Sequence, residues 1–207
     1  MPAPEVALIH THENAKTLGH VNLMVDTLIA NATIEDLRAI TRNLLATGTP
    51  NLAAAFTAAA RSRLRQTSAK RIATTNGLFT TSLNGIYAIP TAELDKALAR
   101  ARSLYGAGMG FASLNILSSI VKATVGLRWE DDGAMAHVLA VIDADISQAI
   151  QSCKEELEGG RVNDLTAAHE TIGNLWSGIR ESDRDVEIWG GEFPFDRAST
   201  SIECWKI

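Results

Sequence analysis

Apolar residues recur at intervals of three and four along most of this chain, and that spacing constrains the fold more than any other feature. Successive segments between residues 33 and 180 each place Leu, Ile, Val or Phe on one stripe of a helix. Glycines such as Gly48, Gly126 and Gly159 follow the segments, where a helix can end. Strand-like alternation is almost missing, so the sequence predicts an all-α protein.

The helices follow one another closely, which predicts successive helical hairpins. Thr33 and Thr91 are typical N-cap residues, and Pro50 can begin a helix directly after Gly48. We expect about six to seven helices, arranged as an irregular bundle or a short HEAT-like stack. The segment from Phe111 to Val125 carries few charges and should be the most buried helix.

Three segments depart from the helical spacing. Residues 1–16 are predicted to form an N-terminal arm, and residues 67–90 an irregular loop within a helical domain spanning 17–182. Helical signals stop after Ser182, so residues 183–207 should form an extended tail rich in aromatic residues. Such an apolar tail either packs back over the domain or docks onto a partner or a second subunit.

Composition points to a folded intracellular protein. Of 207 residues, 46% are hydrophobic and 21% charged, the balance of a globular domain. No run of about 18 apolar residues suggests a membrane span, and the first residues lack the pattern of a secretory signal. Cys153 falls on the apolar side of a helix, which predicts a reduced, buried thiol. We therefore expect a cytoplasmic or nuclear location.

Charge is distributed unevenly along the chain. Residues 1–127 hold 12 Lys and Arg against 7 Asp and Glu, a balance of +5, whereas residues 128–207 hold 7 against 17, a balance of −10. The acidic half is unsuited to nucleic acid and suited to a basic partner or to the first half of a second copy. Acidic faces that only confer solubility explain the same pattern.

The run from Arg61 to Arg71 is the one local concentration of basic residues. Arg61 and Arg65 share a helix face at i and i+4, near the helix end that favours cations. The run is either a solvated helix end or a surface for an acidic protein partner or for nucleic acid. Stacking aromatic residues are missing from it, which makes nucleic acid the weaker alternative.

None of the possible motifs for catalysis or cofactor binding has the sequence context that its chemistry requires. His10 and His12 would need further metal ligands from strands, and the glycine-rich turn at 106–110 lacks the strand that precedes a phosphate loop. Neither a nucleophile motif nor an acid pair at useful spacing is present. We therefore predict no catalytic, metal or cofactor residues, leave enzymatic activity open, and regard it as the less favoured reading.

These features together predict a protein–protein interaction module or a helical scaffold or adaptor subunit without catalytic activity. The partner is another protein, including a second copy in a homodimer. A pocket between hairpins, lined by Met109, Phe111 and Trp129, would instead serve a small-molecule binder or enzyme. Nucleic-acid binding through 61–71 is the second alternative. The predicted partner-binding residues are Arg61, Arg65, Arg71, Trp189, Phe193, Phe195 and Trp205.

Overall fold

A computed structural model describes residues 23–68, 77–83 and 85–205. The chain divides into two units, Met1–Leu52 and Ala53–Ile207. The predicted arm, residues 1–16, lies outside the described residues. In the described ranges the structure is mostly helical, as predicted, but it has eight helices instead of six to seven and two short strands.

The first unit contains α1 (Leu23–Asn31), α2 (Ile34–Thr47) and the start of α3 (Pro50–Ser68). Thr33 caps α2 as predicted, because its hydroxyl oxygen accepts the backbone N–H of Asp36 at 3.1 Å. No residue of α2 is buried. The hairpin predicted for this part of the chain therefore stays a prediction.

The second unit is built around one central helix. Its helices after α3 are α4 (Ala92–Gly106), α5 (Gly110–Thr124), α6 (Ala134–Glu158), α7 (Leu165–Trp189) and α8 (Asp196–Glu203). Helix α5 packs most extensively against α7, and also against α4 and α6. Eight of its fifteen residues are buried, which confirms the prediction for this segment. Helix α7 packs mainly on α5. It does not form an extensive contact with α6, which precedes it in the chain and would be its partner in a hairpin of successive helices.

A short antiparallel hairpin lies in the segment predicted to be an irregular loop. Strand β1 (Phe79–Thr81) pairs with β2 (Ala88–Pro90), and Thr80 lies opposite Ile89. The backbone N–H of Ala88 also donates to the Arg128 carbonyl at 2.7 Å, which fixes β2 to the loop before α6. Both strands are three residues long, too short for their alternation to stand out in the sequence.

The extended aromatic tail predicted after Ser182 is largely helical instead. Helix α7 continues to Trp189 and ends at Gly190, whose φ of 76° is the left-handed conformation of a helix C-cap. Ser182 itself is buried, between Ile179 and Val186 on the same helix face. A polar residue at this core position interrupts the apolar stripe, which is why the helical pattern in the sequence stops there. Helix α8 then follows within the remaining residues.

Candidate functional site

A groove with a volume of about 450 Å³ lies between α3 and α4. Helix α3 contributes Phe56, Ala60 and Leu64, whose i, i+4 and i+8 spacing places them on one face. Helix α4 contributes the small residues Gly106 and Ala107 at its end, which keep the groove open. Phe56 is 47% exposed, so a large aromatic side chain of the groove faces solvent.

Two arginines beside this groove connect α3 and α4 through hydrogen bonds. The Arg61 guanidinium donates to the Ala107 carbonyl at 3.2 Å, and the Arg100 guanidinium donates to the Leu64 carbonyl at 2.8 Å. Both carbonyls lie near helix ends, where backbone acceptors lack a partner within the helix. Arg61 is therefore half-buried and has a structural contact in addition to its charge.

Arg102, which lines the groove, is held by a buried carboxylate. Arg102 donates to both oxygens of Asp145 on α6, at 2.7 to 3.1 Å, and the Tyr105 hydroxyl donates to the same carboxylate at 3.0 Å. The hydrogen bond to Asp145 raises the pKa of Arg102. Burial, and then the bond to Asp145, raises the pKa of Tyr105. The Arg102 charge is thus compensated, and the fork geometry fixes its orientation.

The remaining cations decide the charge of the groove. Arg63 lines it and makes no ion pair within the described ranges, and neither does Arg61. Helix α3 contains no acidic residue. Arg61 lies beside the groove through its bond to Ala107, whereas Arg65 is exposed and does not line the groove, so the structure separates Arg65 from Arg63. Arg71 lies outside the described residues. Arg63 is the groove residue that the sequence prediction missed, although it belongs to the same basic run.

The four predicted aromatic residues are spread over the second unit and do not form one surface. Phe195 is fully buried, and Trp189, Phe193 and Trp205 pack against the core while partly exposed. The Trp189 ring meets Trp129 edge-on at 5.1 Å between centroids. Phe195 is thus a core residue, whereas the partner-binding role of Trp189, Phe193 and Trp205 stays a prediction. The Trp189 indole N–H is buried and finds no acceptor in the described part of the chain.

A second cavity, of about 430 Å³, lies between α6 and the segment that contains α8. Trp129 is in its wall, whereas Met109 and Phe111 are not, so the three residues predicted to line one pocket are not brought together. Its carboxylates include Asp143, which is 5% exposed. The Asp143 carboxylate accepts the backbone N–H of Ala198 at 2.8 Å. It therefore caps α8, whose own N-cap residue, Phe195, has no side-chain acceptor.

We expect an Asp143→Asn variant to alter the pH dependence of stability. Burial raises the pKa of Asp143 from 3.8, although the hydrogen bonds from Ala198 and Arg197 oppose the shift. The folded state therefore binds this proton more tightly than the unfolded state, and the contribution of Asp143 to stability falls as pH rises through the raised pKa. Asparagine retains an acceptor for Ala198 without the charge. The free energy of unfolding of the variant, minus that of the parent, should increase as the pH rises above about 4.

Urea titrations at several pH values measure this difference, and Asp196 and Arg197, which also face the cavity, remain in both proteins. A difference that stays constant, or that decreases with pH, would contradict a raised pKa for Asp143.

Within residues 23–68, 77–83 and 85–205, no group of three His, Cys, Asp or Glu side chains is placed to hold a metal ion. His10 and His12 lie outside them. Cys153 is buried and free, as predicted, and its burial raises the thiol pKa above the ordinary value. None of the described helices combines the length and the apolar character that crossing a bilayer requires.

No protein-family model, curated protein or solved structure matches this chain.

Proposed function

We propose that this chain is an intracellular protein–protein interaction module, without catalytic activity, whose α3–α4 groove binds an acidic amphipathic segment of a partner. The observation that supports this proposal is the exposed Phe56 in an apolar groove beside the uncompensated Arg63. An aromatic residue next to an arginine is typical of the residues that contribute most to binding at protein interfaces.

The shape and charge of the groove favour such a partner for separate reasons. The side chains of Phe56, Ala60 and Leu64 offer an apolar floor that an apolar side chain of the partner would cover, gaining the free energy of hydrophobic burial. Arg61 and Arg63 provide positive charge at the edge, which favours a carboxylate-bearing segment and accelerates its association. Arg102 contributes little to this field because Asp145 neutralises it.

Reversing the charge of Arg63 should weaken binding of an acidic model helix, a synthetic peptide with one leucine face and glutamates beside it. Fluorescence anisotropy of the labelled peptide measures its affinity for the full chain. We expect Arg63→Glu to raise Kd about tenfold, since attraction at the rim becomes repulsion. Phe56→Asp should raise Kd by at least about tenfold, because it removes the aromatic contact and buries a charge.

Arg65→Glu is the matched control, since it makes the same charge reversal on the same helix outside the groove, and it should change Kd much less. A lysine version of the peptide with the same leucines should bind weakly. Equal binding of both peptides, or insensitivity to Phe56→Asp, would refute the groove as the site. If a single-stranded DNA oligonucleotide binds better than the acidic peptide and loses affinity in Arg63→Glu, the nucleic-acid alternative replaces this proposal.

A further inference from the structure

Two arginines from distant parts of the second unit converge on the turn between α4 and α5. Arg61 belongs to α3, and Arg161 lies in the connection that follows α6. A Cβ atom on Gly108, in the turn, would lie 3.5 Å from Nη2 of Arg161 and 3.7 Å from Nη1 of Arg61. Gly108 has a φ of 72°, which L side chains rarely adopt, so the turn keeps this point free of a side chain. The two guanidinium groups therefore lie beside one point.

The backbone holds both guanidinium groups in place. Arg61 donates from Nη1 to the Ala107 carbonyl at 3.2 Å, and Arg161 donates from Nη2 to the Glu155 carbonyl at 3.0 Å. A Cβ atom on Gly159 would overlap the Arg161 guanidinium, so the missing side chain there leaves room for it. A guanidinium group has five N–H donors, and within the described ranges each arginine uses one of them. The orientation of each group is thus fixed while most of its donors have no protein acceptor.

The positive charge at this point is not cancelled by its surroundings. The two carbonyls belong to the ends of α4 and α6, and a helix C-terminus carries about half a negative charge, so two of them offset about one of the two arginine charges. No carboxylate in the described ranges forms an ion pair with either arginine. Glu156, in the last turn of α6, instead accepts the backbone N–H of Phe111 at 3.3 Å. An anion would supply both the missing charge and the missing acceptors.

We propose that Arg61 and Arg161 form a binding site for a phosphoryl group. Planar guanidinium forks match phosphate oxygens, and charge-assisted hydrogen bonds of about 2.7–2.9 Å let one tetrahedral anion accept from two forks held this close together. A phosphoryl group carries about −1.5 to −2 charges at neutral pH, more than a carboxylate supplies. Because the donors are arginine side chains, the site needs no strand before the glycine-rich turn. Its source is a small phosphate compound or a phosphorylated side chain of a partner, since both present the same oxygens.

Titration of the full chain with inorganic phosphate tests the site, at constant ionic strength and about pH 7.5, where phosphate is mainly dianionic. Two-dimensional NMR of the arginine Nε–H groups should show saturable shifts of Arg61 and Arg161, with a Kd on the order of 1 mM. The signals are identified by their loss in Arg61→Gln and Arg161→Gln. We expect Arg161→Gln to raise Kd at least about tenfold, because one of the two forks is removed.

Arg65→Gln is the matched control, since it removes the same charge from α3 outside the site, and it should change Kd less than about twofold. Phe56→Asp, which disables the groove, should leave phosphate binding unchanged, so failure of the groove and failure of this site are distinguishable. Near-ultraviolet circular dichroism of the tryptophans verifies that each variant remains folded. If neither arginine signal shifts saturably, or if Arg161→Gln binds phosphate as well as the parent does, the site is refuted.

A second measurement, which rests on the proposed function, distinguishes the two sources of the phosphoryl group. It compares the acidic model helix with a version in which phosphoserine replaces one glutamate. Binding of the phosphopeptide at least about tenfold more tightly, with the gain lost in Arg161→Gln, assigns the site to a phosphorylated partner. Saturable binding of inorganic phosphate without any gain from phosphoserine assigns it to a small phosphate compound.

Discussion

Gly110→Ala should lower the free energy of unfolding by about 2–4 kcal/mol, although it adds a single methyl group. Gly110 is the first residue of α5, at the point where this helix crosses α6. A Cβ atom there would overlap the backbone nitrogen of Cys153 and approach its Sγ to 2.7 Å and the Ser152 carbonyl carbon to 2.7 Å. Backbone atoms cannot rotate away as a flexible side chain can, so α5 and α6 would have to separate.

Gly173→Ala provides the matched control, because the same change should have the opposite sign. Gly173 lies inside α7, is exposed, and a Cβ there would meet nothing within 4 Å. Alanine should therefore stabilise the protein by about 0.5–1 kcal/mol through its higher helix propensity. Urea denaturation followed by tryptophan fluorescence measures both variants. A Gly110→Ala protein as stable as the parent would show that α5 and α6 are not packed as closely as described.

Phe195→Ala should cost about 3–5 kcal/mol of stability, comparable to other large-to-small changes in protein cores. Phe195 has no solvent exposure and meets Phe193 edge-on at 6.0 Å between ring centroids. Truncation leaves a cavity beside the first turn of α8, whose cap, Asp143, is supplied by another helix. We expect the urea concentration at the midpoint of unfolding to fall, and the packing of α8 to be lost in the same variant.

The size of this effect separates the two roles predicted for the aromatic residues. A partner anchor is exposed in the free protein, so its removal would change stability by less than about 0.5 kcal/mol. Ile188→Ala serves as the reference for an exposed apolar residue in the same region, because Ile188 is 81% exposed. If Phe195→Ala behaves like Ile188→Ala, Phe195 is not part of the core, and the partner-anchor role of this residue regains support.

The helical character of the chain was predictable because its causes are local. Apolar spacing of three and four, the Thr33 cap and the glycines after each segment all act within one or two turns of the residues concerned. The same information identified Phe111 to Val125 as the most buried helix, since few charges occur there. Even so, Thr91 precedes α4 without capping it, and its hydroxyl instead donates to the Gly77 carbonyl at 2.6 Å.

The sequence indicated only one of the two helices that form the candidate groove. The basic run from Arg61 to Arg71 drew attention to α3, but which of its arginines face the groove depends on how α3 packs against α4. Arg102 lies outside that run, and its charge is cancelled by Asp145, which is 43 residues further along the chain on a third helix. Ion-pair partners this distant along the chain leave no spacing signal.

The sequence by itself determined that the chain is helical, where most of its helices begin, and that its two halves differ in charge, because these depend on neighbouring residues or on composition. Only the tertiary structure decided that α5 is central, that α8 forms beneath an Asp143 cap, and that Asp145 pairs with Arg102. Each of these depends on which surfaces meet across long stretches of chain, and periodicity indicates that a face is apolar without indicating what covers it.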